Sequence, residues 1–319
     1  MKISVIGLNW ISTSAILAFL RTDQSIQVDG WDPDLEARAA ANRTKVFQKI
    51  TKNLRRAVKE ARVVFFGLDT GERASIYKEL AMTVQHGSVL VNLIPPYKST
   101  NRLFQESLSN RANLISIYPT IQAKFLVGND RSIDGARDDL FIGCPIYIAD
   151  DGNMDPAILD LAVDIVVLLG GYPVFISPEE LDGLVSSTST FPQLLSAEMM
   201  KTVSELPGWR EGKQIANVDL FQTTLPVHPD LNGTALAQQT ITYRKNLLSI
   251  LDVYLRSLVE LRKSIDESGT ELITERITQS IKFRDEWLEG RSRAEATNQT
   301  SAPISTASEA LKRIKKLGQ

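Results

Sequence analysis

The stretch Lys2-Ile3-Ser4-Val5-Ile6-Gly7-Leu8-Asn9-Trp10-Ile11-Ser12 decides the fold. Its first half is a short, mostly β-branched run that stops at a glycine, the pattern of a strand buried on both faces of a parallel sheet. From Ile11 to Leu20 apolar residues recur at helical spacing, so a strand, a tight turn and a helix follow in order. Lys2 and the apolar stretch behind it also outline a signal peptide, but Gly7, Asn9, Ser12 and Ser14 interrupt it and no small-residue cleavage site follows.

Working outward, Ile26 to Trp31 reads as a second strand, and Asp32-Pro33-Asp34 as a turn that caps the next helix. Ala61 to Leu68 is a third buried strand, and Ile76 to Val84 a helix. Ser88 to Ile94 is a strand stopped by Pro95-Pro96, and Leu114 to Ile117 and Ile146 to Ala149 are further strands. Strands alternating with helices predict an α/β fold, a Rossmann-like doubly wound parallel sheet covered on both faces.

After about residue 175 strand patterns give way to long helical ones. Leu247, Leu251, Tyr254, Leu258, Leu261 and Ile265 form a heptad-like stripe, and Ile273, Ile277 and Ile281 mark a second helix reaching Trp287. Two readings of the stripe stand: the core of a bundle within the chain, or a subunit interface. Glu289 to Ser308 is rich in Ser, Thr and Ala and reads as a linker. Ser308 to Leu317 reads as a short basic amphipathic tail, with Leu311, Ile314 and Leu317 on one side. The expected organisation is a dinucleotide-type domain over 1–175, an all-α domain over 176–290, and a flexible linker and tail over 291–319.

Composition narrows the function. The chain has 319 residues and 43% hydrophobic residues, enough to bury real cores. Its 36 Lys and Arg face 38 Asp and Glu, a balance unsuited to coating nucleic acid. No apolar run approaches the roughly 18 to 20 residues that cross a bilayer. One cysteine, Cys144, allows no internal disulfide and suits a reducing cytoplasm. The two histidines, His86 and His228, lie in different segments, so no metal site is expected.

A strand ending in glycine before a helix is where the dinucleotide fingerprint G-x-G-x-x-G/A belongs. Here it reads Gly7-Leu8-Asn9-Trp10-Ile11-Ser12. Gly7 can make the turn, and Ser12 is small enough for helix and strand to approach. Asn9 stands where the second glycine would let backbone approach a pyrophosphate. Asp32, 25 residues after Gly7, is placed to bind a ribose 2′-hydroxyl and to disfavour a 2′-phosphate. That predicts NAD rather than NADP if either binds; the plainer reading is that Asp32 caps a helix.

Taken together, these segments resemble the prephenate and arogenate dehydrogenase family, from Lys2 to about Trp287. Gly7-Leu8-Asn9-Trp10-Ile11-Ser12-Thr13-Ser14 is similar to the family's Gly-Leu-Gly-Leu-Ile-Gly-Gly-Ser, and Trp31-Asp32-Pro33-Asp34 to its Tyr-Asp-Arg-Asp turn. Tyr118-Pro119-Thr120-Ile121-Gln122 falls where the family has His-Pro-Met-Ala-Gly, and Asp139 to Gly143 matches its Leu-Phe segment before a strand. Pro178-Glu179-Glu180-Leu181-Asp182 is similar to Pro-Glu-Glu-His-Asp, and Ser189-Thr190-Phe191-Pro192-Gln193 to Ser-His-Leu-Pro-His. Gly208 to Ala216 tracks Gly-Phe-Arg-Asp-x-Thr-Arg-Ile-Ala.

The resemblance implies a hydride-transferring enzyme of tyrosine biosynthesis, a homodimer through its C-terminal helices, with a small-molecule ligand in the cleft between its domains. It also implies which side chains would do the chemistry. The family's base histidine falls on Tyr118, whose unperturbed pKa of about 10 makes a poor base at neutral pH. The serine of its Gly-Ser-x-Lys loop falls on Pro96, while Lys98 keeps the lysine. Its substrate-domain histidines fall on Leu181, Thr190 and Gln193. The arginine that grips a substrate carboxylate falls on Gln214, which offers no cationic fork; Arg210 and Lys213 are near it in sequence. Gly7, Pro119, Phe141, Gly170, Asp182 and Pro192 remain. Loss confined to the working residues suggests a fold kept for another purpose. The expectation is therefore weak or absent turnover of prephenate, or a non-catalytic relative that binds a small molecule or a protein partner.

Overall fold

The computed structural model describes residues 1–68, 72–127, 130–227, 231–267, 269–299 and 304–316. Its contacts divide the chain into two units, one of Met1–Pro178 with Glu275–Gln319, the other of Glu179–Thr274.

The first unit is built on a sheet. β1 (Lys2–Ile6), α1 (Trp10–Thr22), β2 (Gln27–Trp31), α2 (Leu35–Thr44), β3 (Lys49–Thr51), α3 (Leu54–Val58), β4 (Val63–Phe66), α4 (Arg73–Ala81), β5 (Ser88–Asn92), α5 (Tyr97–Ser107), β6 (Ala112–Pro119), β7 (Pro145–Ala149), α6 (Pro156–Leu169) and β8 (Tyr172–Ile176) follow in order. The strands form one sheet in the order β3-β2-β1-β4-β5-β6-β7-β8. Ile3, Val5, Ile6, Val63, Phe65, Phe66, Val89 and Val91 are fully buried, as expected of parallel strands covered by helices on both faces.

One departure from the expected all-parallel sheet lies at β7, which pairs antiparallel with β6 through Tyr118 and Tyr147. Among its described residues the intervening segment carries two short 3-10 turns, Ala123–Phe125 and Ile133–Gly135. A parallel return needs a longer crossover, usually a helix. The short strand β3 and the helices α3 and α5 also went unread in the sequence.

α6 is apolar nearly all round. Asp155 caps its start, Pro156 opens its first turn, and Gly170 ends it at φ +88°. Such a helix needs cover on both sides, and the C-terminus supplies it. α13 (Thr270–Gln299) begins in the second unit and ends in the first, and α14 (Ile304–Lys315) packs on α6 and α1. Ala310, Leu311 and Ile314 are buried there. Arg313 Nε donates to Asp164 Oδ2 at 2.7 Å, and Lys315 pairs with Asp23. Over its described residues the expected flexible segment of 291–319 therefore differs from the structure: α13 runs to Gln299, and Arg313 and Lys315 of α14 meet Asp164 of α6 and Asp23 just after α1. Leu317 lies outside the described residues.

The second unit is helical: α7 (Pro178–Val185), α8 (Phe191–Glu205), α9 (Trp209–Ile215), α10 (Val218–Thr224), α11 (Gly233–Thr242), α12 (Arg244–Asp266) and the start of α13. A π-helical stretch, Ser186–Thr190, joins α7 to α8. Pro192 offers no N–H to the preceding turn, which accounts for the lost α-register. Buried Tyr243 donates from its hydroxyl to Asp182 at 2.8 Å.

Candidate functional site

In an open α/β sheet, ligands bind beyond the carboxyl ends of the strands where the strand order reverses. Here that point lies between β1 and β4. Gly7 ends β1 at φ +89°, and a Cβ on it would stand 2.3 Å from the Leu68 nitrogen after β4. Only glycine fits so close an approach, as the fingerprint reading expected.

The rest of the turn is occupied by its own atoms. Asn9 is the N-cap of α1: its Oδ1 accepts from the Ser12 N–H at 3.0 Å, and Ser12 Oγ accepts from the Asn9 N–H at 3.1 Å. Ser12 Oγ also donates to the Gly7 carbonyl at 2.6 Å. Asn9 Nδ2 then donates to the carbonyl of Gly67, at 2.7 Å, directly after β4. The asparagine side chain thus spans the point where the strand order reverses.

Asp32 follows β2, as read. It is 5% exposed. Its Oδ2 accepts from the Leu8 N–H at 2.8 Å and its Oδ1 from the Asp34 N–H at 2.9 Å. Burial pushes its carboxyl above the usual range, opposed by these two hydrogen bonds. The plainer reading, that Asp32 caps a helix, is corrected: its oxygens hold the N–H groups of the turn, and Asp34 is the residue whose carboxylate caps α2.

A dinucleotide would need backbone access at the second fingerprint position and an acid open to a ribose. Asn9 fills the first, and Asp32 is buried against N–H groups. These residues do not fit a pyrophosphate bound in the usual way.

Tyr118 lies on β6, partly buried, with its ring edge-on to Tyr97 at 6.4 Å. Burial pushes its hydroxyl above the usual tyrosine range, and the Arg291 guanidinium pulls it back in part. Lys98 is exposed on α5, one residue from buried Tyr97. In the second unit Thr190 is fully buried and accepts from Gln239 Nε2 at 3.0 Å. Gln193 is half-buried on α8, whereas Arg210 and Gln214 are exposed one turn apart on α9. His86 is exposed in the turn before β5, and His228 lies outside the described residues. Among the described residues, no group of three or more His, Cys, Asp or Glu comes together as a metal site. No described helix is long and apolar enough to cross a membrane.

Three polar residues escaped the sequence reading. Arg73, 8% exposed at the start of α4, donates to Thr100 Oγ1 at 2.9 Å and to the Pro95 carbonyl. It anchors the loop that precedes Lys98. On α13, Glu295 is buried and accepts the Ala123 N–H with both oxygens, at 2.9 and 3.0 Å, while Arg291 donates to the Ile121 carbonyl. This pair fixes the loop that follows Tyr118. Its sequence signal was an Arg–Glu pair spaced i,i+4, hidden in a stretch that reads as a linker.

No protein-family model matches the chain, and no curated protein matches its sequence. Solved structures do. Arogenate dehydrogenase from Synechocystis matches with a TM-score of 0.63 at 17% identity, over 90% of this chain and 100% of that one. Prephenate dehydrogenase from Aquifex aeolicus, in complex with hydroxyphenyl propionate and NAD+, matches with a TM-score of 0.69 at 14% identity, over 90% of this chain and 98% of that one. The chain has the fold of these dehydrogenases.

Proposed function

We propose that this chain is a divergent member of the prephenate and arogenate dehydrogenase family, of the oxidoreductase class, whose turnover of either substrate is weak or absent. The fold shared over nine-tenths of the chain supports the family. The observation that carries the loss of activity is Tyr118. It stands where the resemblance places the base; an ordinary tyrosine, with a pKa of about 10, is already a poor base at neutral pH, and burial pushes this one higher still. Lys98 is exposed on the neighbouring helix. The test is steady-state NADH formation with prephenate and with arogenate. Turnover at ordinary enzyme rates overturns the reading.

A second reading is a non-catalytic protein that binds a small molecule or a partner protein. The bond from Asn9 to Gly67 favours it. Under either reading Thr190, Gln193, Arg210 and Gln214 are the substrate-side candidates, and Gly7, Asn9, Ser12 and Asp32 the nucleotide-side ones. NAD is the preferred dinucleotide if one binds, and the cytoplasm the expected compartment.

The protein pairs with a second copy through its C-terminal helices in this proposal. The stripe on α12 supports it: Leu247 is buried, but Tyr254, Leu258 and Ile265 are 36%, 41% and 60% exposed. Ile277, Ile281 and Trp287 on α13 are more than half exposed as well. Apolar surface of this extent is uncommon on a monomer.

A further inference from the structure

The geometry points to a nucleotide end that is closed by the protein's own side chains, so that this chain works without a dinucleotide. The inference rests on the family reading above only in naming the probe. At each of three positions that would face NAD in an open fingerprint, the protein's own groups take up hydrogen bonds.

The first is the pyrophosphate position. A phosphate at a helix N-terminus is held by the first N–H groups of the helix. In this chain two of the four N–H groups at the start of α1, those of Asn9 and Ser12, already have partners, Ser12 Oγ and Asn9 Oδ1. The second is the gap between β1 and β4. Asn9 Nδ2 bridges it to the Gly67 carbonyl, and Ser12 Oγ seals the inner side by donating to Gly7. A Cβ on Gly67 would stand 3.0 Å from Ser12 Cβ and 3.4 Å from Asn9 Nδ2, so the two segments are in close contact. The third is the ribose position, where Asp32 is buried and holds the Leu8 and Asp34 N–H groups.

These bonds are mutually supporting. A pyrophosphate seated where the second fingerprint glycine would admit it displaces the Asn9 side chain, and with it the Asn9–Gly67 bond and the Asn9 half of the capping pair. The phosphate could satisfy the N–H groups but not the Gly67 carbonyl, which is an acceptor. A glycine at position 9 removes the bridge and keeps the turn, because glycine is nearly as good an N-cap as asparagine.

The experiment is calorimetric titration of the full-length protein and of Asn9→Gly with NAD+ and with NADP+. The wild type is expected to show no saturable binding up to about 1 mM, and Asn9→Gly to bind at least about tenfold more tightly. Circular dichroism checks that the variant is folded. Saturable binding of either dinucleotide by the wild type overturns the inference, and so does a folded Asn9→Gly that gains nothing. If the variant fails to fold, the wild-type amide resonances of Leu8, Asn9 and Ser12 decide. No shift with NAD+ supports closure, and a saturable shift overturns it. Wild-type binding without turnover of prephenate would leave the proposed function standing while removing this inference; turnover would remove both.

Discussion

Arg313 on α14 grips the carboxylate of Asp164 on α6 with two hydrogen bonds, and that carboxylate is almost wholly buried. The relationship joins residues 149 apart in sequence and shows why the C-terminal helix stays on the sheet unit. Asp164 would be a buried charge without its partner, which is costly, while the apolar side of α14 covers an α6 that is apolar on nearly every face. Arg313 is itself largely exposed, so packing carries the larger share of the attachment.

Ile314→Ala tests that packing. Ile314 is 1% exposed, and large-to-small changes at such sites cost about 2 to 5 kcal/mol. Urea unfolding should show a loss in that range. A truncation ending at residue 299 should do more, exposing α6 and raising binding of an apolar dye. Unchanged stability in both would mean that α14 does not dock in solution.

The sequence showed the apolar stripe of α14 but not what it covers, because the partner surface lies far away in the chain. The same limit hid the Asn9–Gly67 bridge. The asparagine was legible as a misfit in the fingerprint, yet its acceptor is a backbone carbonyl 58 residues on. β1, β4 and β5 were legible because strands buried on both faces are nearly continuous apolar runs. The direction of β7 was not, since alternation and burial look alike in parallel and antiparallel strands. Tyr118 was singled out through the family resemblance, but Arg291 and Glu295 went unnoticed, being two polar residues among Ser, Thr and Ala.

Asp32→Ala should act on stability rather than on cofactor choice. The change strands the Leu8 and Asp34 N–H groups, and an unsatisfied buried donor costs about 1 to 3 kcal/mol. Thermal unfolding should fall accordingly. Tight NAD binding by the wild type, weakened and shifted toward NADP in this variant, would place Asp32 in a ribose pocket instead.

Cys144 is fully buried, and burial pushes its thiol up to about 12. The thiol should resist a disulfide exchange reagent in the native protein and react once in urea. The linkage sign follows from the raised value. The neutral thiol stabilises the fold fully below the ordinary cysteine pKa of about 8.5, and the contribution falls as pH rises from there toward 12. Cys144→Ala should lose part of the alkaline destabilisation expected of the wild type. Rapid native labelling near neutral pH would show that the site is open.

Leu258→Arg should break the proposed dimer. Leu258 sits on the exposed part of the α12 stripe, where a charge would meet apolar side chains of the other copy. Sedimentation at micromolar concentration should give a dimer for the wild type and a monomer for the variant. A wild-type monomer would return the stripe to some other use.

The last prediction is that dehydrogenase activity is very low, and that its pH profile identifies the reason. A positioned general base is worth roughly 10² to 10⁴ in rate. Tyr118 is protonated at neutral pH, and burial raises its pKa further. Loss of an arginine from a charge-paired substrate site costs roughly 2 to 5 kcal/mol, and Gln214 offers a neutral hydrogen bond at most. These losses need not add, because residues of one site act as a unit, but the smaller of them alone leaves a poor enzyme. Turnover of prephenate or arogenate should therefore lie well over tenfold below the typical value of roughly 10 s⁻¹. Any residual rate that depends on Tyr118 as base should climb with pH toward and beyond about 10, and Tyr118→Phe should abolish the climb. Tyr118→His should move the rise toward the ordinary histidine range near 6.5 if a dinucleotide can enter. It should change nothing in the presence of Asn9, and show its effect when Asn9→Gly is made with it. A wild-type rate near 10 s⁻¹ with a flat profile around pH 7 would mean that another group does the base's work.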